Sequence, residues 1–135
     1  MQHLKQQHRR VRHMVSAPFI YGVFLPVVVL DFSFEIYHRI CFPLYGLPYV
    51  RRGRYVKIDR QKLSYLSWLQ KVNCMFCGYV NGLIQYWFVM AGETEAYWCG
   101  IRHEKKEGFV EPAHHADFAD YGDEAVASPA VNPEG

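Results

Sequence analysis

Sixteen residues from Val15 to Leu30 carry no charge, and then the pattern changes: in DFSFEIYHR, Asp31, Glu35 and His38 stand at i, i+4 and i+7. On a helix those three form one polar stripe within about 60° of arc, so an apolar helix that ends in a polar face is predicted over 14–41. Sixteen residues make about 24 Å of helix, short of a hydrocarbon core of roughly 30 Å. Continuing through Phe34 reaches that length at the expense of burying Asp31. Pro18, Gly22 and Pro26 predict kinks, and the β-branched run Val27 to Val29 also suits a buried strand of a soluble core. A helix in or on the membrane is the preferred reading.

Residues 42–59 read as a turn-rich connector. Pro43, Gly46 and Pro48 interrupt helix, and YVRRGRYVKID suggests two short strands around Gly53. Asp59 is placed to cap a helix over about Arg60 to Val72, with Tyr65, Trp68, Leu69 and Val72 on its inner face. Beyond it Val80, Leu83, Ile84, Trp87 and Ala91 keep a helical period, yet Asn81-Gly82 is also a hairpin signal. EPAHHADFADYGDE predicts a short helix with Pro112 near its start, with Phe118 and Tyr121 available for docking. The fold class expected is mainly α, a small single domain. It divides into a basic segment 1–13, the apolar helix 14–41, a compact metal-binding domain 42–124 and a disordered tail 125–135.

Charge adds polarity to this picture. Residues 1–13 hold four Lys/Arg and no acid, residues 39–71 hold eight against Asp59 alone, and from Glu93 onward ten acids face three bases. The basic connector, with Arg51, Arg52, Arg54 and Lys57 among Tyr49 and Tyr55, suits lipid headgroups ahead of nucleic acid, because no base-reading helix accompanies it. A protein partner is open as well. The basic start followed by an apolar run mimics an export signal, but no small-x-small cleavage site follows, so the segment is expected to be retained. Lys/Arg on both flanks give no clean orientation. The expected location is the cytoplasmic membrane, with the metal domain facing the cytoplasm.

The candidate chemistry is metal binding. Cys74 and Cys77 form C-x2-C and Cys99 and His103 form C-x3-H, a set able to hold zinc as a closed structural Cys3His site. One shared site requires a break or hairpin between the pairs, most readily at Gly92; an unbroken helix from 77 to 99 holds its ends about 33 Å apart. The two-site alternative joins Cys74 and Cys77 to His38 and Cys41, and Cys99 and His103 to His114 and His115. Iron or an iron-sulfur cluster with Cys41 as fourth thiolate is the alternative cofactor, serving a redox protein or metalloenzyme; a nucleic-acid-binding zinc module is a third reading. Glu35 and His38 also have the E-x2-H spacing of di-iron bundles. Such bundles need further carboxylates from other helices, so a polar stripe contacting Arg39 or the basic segment is preferred. No complete catalytic constellation appears, and the chain reads as an accessory or interaction protein.

EIYHRICFPLYGLPYV, NCMFCGYVNGL, TEAYWCGIRH and DYGDE together resemble a family of short bacterial proteins with a CxxCGYxNG and TExYWCGI[KR]H pattern. The resemblance covers roughly residues 15–124. It implies a bacterial origin and a shared fold, and carries no activity with it.

Overall fold

The computed structural model describes residues 10–124. Most of the basic segment 1–13 and the tail 125–135 lie outside the described residues. Two helical runs dominate: α1 (Arg10–Gly22) leads at once into α2 (Phe24–Tyr45), and α3 spans Trp68–Trp98. Among the described residues there is no strand, only a single parallel bridge between Ile101 and Ala119. The fold is mainly α. The run Val11–Tyr45, 35 residues, and α3, 31 residues, are both long and apolar enough to cross a membrane.

Local chemistry accounts for the boundaries. Pro26 has no N–H to offer the carbonyl of Gly22, and Val23 falls between the two helices, its own N–H turning to Ile20. The predicted hairpin at Gly53 is instead a single 3-10 turn, Arg52–Arg54. The helix expected from Arg60 is only another such turn, Arg60–Lys62, and α3 begins at Trp68. Its start is a reciprocal cap: Gln70 accepts from the Ser67 N–H at 2.8 Å, and the Ser67 hydroxyl accepts from the Gln70 N–H at 3.4 Å. Asp59 makes no side-chain cap.

The described residues form two compact units, divided within α3 after Tyr86. In the first, Tyr21 and Phe24 meet Phe76, Phe24 and Asp31 meet Tyr79, and Glu35 and His38 meet Tyr86. Residue numbers rise together on both sides, so α2 and α3 run parallel. The connector must therefore return along them. Val50 reaches His38, Arg52 reaches Asp31 and Glu35, and the backbone of Tyr55, Val56 and Lys57 passes Gly82 and Gly78. A Cβ on Gly82 would stand 2.6 Å from the Tyr55 carbonyl oxygen, so the hairpin signal Asn81-Gly82 is in fact a helical notch for the connector. Val27, Phe42, Leu83 and Tyr86 form the apolar core of this unit.

The polar stripe borders that core, with His38 buried and Asp31 and Glu35 half-buried. Arg52 donates from both terminal nitrogens to Asp31, with a bond of 2.8 Å to Oδ2, and reaches Glu35 at 3.2 Å. These carboxylates hold the guanidinium well above its ordinary pKa, since losing the proton would strand two negative charges. Tyr79 also donates to Asp31, and Arg39 stands 3.7 Å from Glu35. His38, fully buried, accepts from the Val50 N–H at Nε2, which leaves the proton on Nδ1 to face the Tyr86 hydroxyl; Tyr86 in turn donates to Glu35. Every polar atom of His38 is thus committed.

The second unit consists of the end of α3, a loop and a 3-10 helix, Ala113–Asp117, with Pro112 at its N-cap. Trp87, Met90, His115 and Phe118 are buried in it, whereas Tyr121 is exposed.

Candidate metal centre

Three side chains of the second unit converge: Glu95, His103 and His115, with ligand atoms all within 4.8 Å of one another. Glu95 stands on the last turn of α3. There the N–H groups of Cys99 and Gly100 both bond to its carbonyl, closing the helix and turning the chain back. His103 follows the bridge at Ile101, where Arg102 N–H bonds to the Ala119 carbonyl at 2.8 Å. His115 comes from the 3-10 helix. Arg102 fixes that helix by donating to the carbonyls of His115 and Ala116 at 3.0 and 2.7 Å, and it pairs with Asp120 and Glu111.

His115 is the most constrained member, only 1% exposed and stacked on Phe118. Its Nε2 stands 3.2 Å from Glu95 Oε1 without the alignment of a hydrogen bond, and neither ring nitrogen has a hydrogen-bond partner in the protein. Leaving such a group unsatisfied in the interior costs about 1–3 kcal/mol. A divalent ion with bonds near 2.1 Å sets its ligand atoms about 3.4 Å apart in a tetrahedron. The Glu95–His115 edge already has that length. His103, exposed and edge-on to Phe109, closes the triangle with a shift on the order of 1.5 Å.

The other carboxylate oxygen of Glu95 is held separately. His114 Nε2 lies 2.7 Å from Oε2, which leaves Oε1 directed to the cluster and keeps the Glu95 carboxyl below its usual range. Gly92 makes this possible, because a Cβ there would meet the His114 ring at 3.1–3.3 Å. Gly92 is therefore a seat for an imidazole within a continuous helix, and the break predicted there is absent.

The four residues selected from spacing are not brought together. Cys74 and Cys77 lie in the first half of α3 and Cys99 just past its end, and the group of potential ligands found among the described residues includes none of them. All four cysteines are free thiols, Cys77 and Cys99 exposed. His38 has no lone pair left for an ion beside Cys41. His103 does enter a cluster, as do the histidines 114–115 of the two-site alternative, with Glu95 where a thiolate was expected. Glu95 was missed because Glu93-Thr94-Glu95 reads as a polar helix break; its place one helical turn before Cys99 was the available signal.

No protein-family model, curated protein or solved structure matches the chain.

Proposed function

We propose that this chain is a small membrane-associated metal-binding protein whose ion is held by Glu95, His103 and His115. The observation that carries the reading is the buried His115 ring, without hydrogen-bond partners and 3.2 Å from a carboxylate oxygen that His114 leaves free. Two imidazoles and one carboxylate suit zinc, and equally the iron(II) of non-haem sites. Such a set leaves coordination positions open to water or another small ligand, unlike a closed Cys3His site. Membrane association is supported by the run Val11–Tyr45, whose most apolar stretch is 94% unburied within the protein. The location that fits is the cytoplasmic face of the membrane.

Elemental analysis of protein purified without chelators tests the ligand set. About one equivalent of zinc or iron is expected, lost in His115→Ala and His103→Ala and kept in Cys74→Ser and Cys77→Ser. Metal lost with the cysteines and kept without the histidines would return the site to the thiolates.

A further inference from the structure

We propose that α2 lies in the plane of the membrane interface with its outer face among the acyl chains, and that neither long helix crosses the bilayer. This rests on the membrane reading above and specifies its geometry. Pro18, Leu25, Val29, Phe32, Ile36 and Ile40 recur at steps of seven, four, three, four and four, which puts them within about 80° of arc along the α1–α2 run. All six are exposed, Leu25 by 72% and Phe32 by 71%. Asp31, Glu35, His38 and Phe42 centre about 130° away and are covered by the connector and α3. The rod thus turns its apolar face outward and its charges inward, the reverse of a helix that faces water.

Lipid fits this face better than a second copy of the helix. Exposed apolar side chains spread from Val28 on one flank to Phe19 on the other, about 180° of arc, wider than the seam a partner helix covers. Past Arg12 and His13, α1 exposes Met14, Phe19 and Ile20 on different sides, so its second half can dip deeper; its 13 residues, about 20 Å, are too few to cross.

Crossing is opposed by the parallel course of α2 and α3. The connector between them passes Asp31 at Arg52 and Gly78 at Lys57, beside the middle of the apolar run, and Arg54 and Lys57 are exposed. An upright run would carry these cations to bilayer depth, where an unpaired charge is costly to insert. It would also immerse non-helical backbone that only protein or water can satisfy. An in-plane seat of roughly 5–10 Å depth wets the outer face alone and leaves the connector on the far side of α2.

The test uses the full chain with its four cysteines replaced by serine, mixed with vesicles of phosphatidylcholine and phosphatidylglycerol. Flotation comes first: protein that stays with the aqueous phase refutes membrane association itself. For protein that floats, spin labels at Leu25→Cys, Val29→Cys, Ile36→Cys and Ile40→Cys report depth by oxygen and nickel-complex collisions. All four are exposed positions, where a label leaves the core intact. Equal depths, with Arg54→Cys fully in water, are expected. A change of about 20 Å between Leu25 and Ile40, the rise of an upright helix over fifteen residues, overturns the in-plane seat while leaving membrane association standing. Phe32→Asp with Ile36→Asp should abolish flotation, and retained flotation counts equally against the proposal.

Discussion

Glu95 offers its two oxygens to different neighbours, and that division is what makes the candidate centre more than a coincidence of polar side chains. His114 takes Oε2, and Oε1 turns to His115. Residues that orient a ligand typically change metal affinity 10–100-fold when removed, so His114→Ala should weaken binding by about that factor while keeping one ion per chain. Competition with a chromophoric chelator measures it, and unchanged affinity would leave His114 with no positioning role. Gly92→Val should act in the same direction, since its side chain would occupy the space of the His114 ring. Of this centre only His103 and the tandem histidines stood out in the sequence. The Cys pairs drew attention by spacing, but spacing along a chain says nothing about which ligands fold together, and the group that does converge holds no cysteine.

At the scale of elements, the first unit is organised by what the helices leave open for the connector. Gly82→Ala should be strongly destabilising, because its Cβ would meet the Tyr55 carbonyl oxygen at 2.6 Å and Val56 Cα at 2.7 Å, both backbone. Gly22→Ala meets nothing within 4 Å and should stabilise by up to about 1 kcal/mol, through helix propensity. Thermal unfolding in mild detergent gives both; equal effects would mean the connector is not packed against α3. Arg52→Met strands Asp31 and Glu35. Breaking a buried pair costs about 3–5 kcal/mol. With the Arg52 side chain 36% exposed, about 2 kcal/mol is expected here, read as a lowered unfolding midpoint. Asp31, Glu35 and His38 were readable as one stripe facing the basic segment, and that is how they are used. Which arginine answers them was not readable, because four cations within seven residues are equivalent until a backbone path selects one.

At the scale of the whole molecule, two perturbations distinguish the proposed roles. Removing the ion with a chelator should lower the unfolding temperature, since metal binding adds to folding free energy, and zinc or iron(II) should restore it; no change would leave the histidine cluster without a stabilising ion. Replacing Arg51, Arg54 and Lys57 with glutamine should alter binding to anionic vesicles by less than about 1 kcal/mol in all, whereas headgroup contact would cost about that much per charge. A full loss would mean that the connector, and not the apolar face of α2, meets the membrane.

The pattern of apolar and polar positions by itself determined that the chain is mainly helical, that its first long helix is rich in apolar residues, and that a polar stripe closes it. These are consequences of periodicity, a local property that each short segment states without its neighbours. Tertiary structure decided the rest: that α2 and α3 run parallel with a charged connector between them, that three glycines inside α3 admit the connector and an imidazole, and that a carboxylate and two histidines from three separate segments meet. Each of these depends on backbone approach between residues distant in sequence. That approach is set by which surfaces can be buried together at the least cost in unpaired charge, and no spacing along the chain contains it.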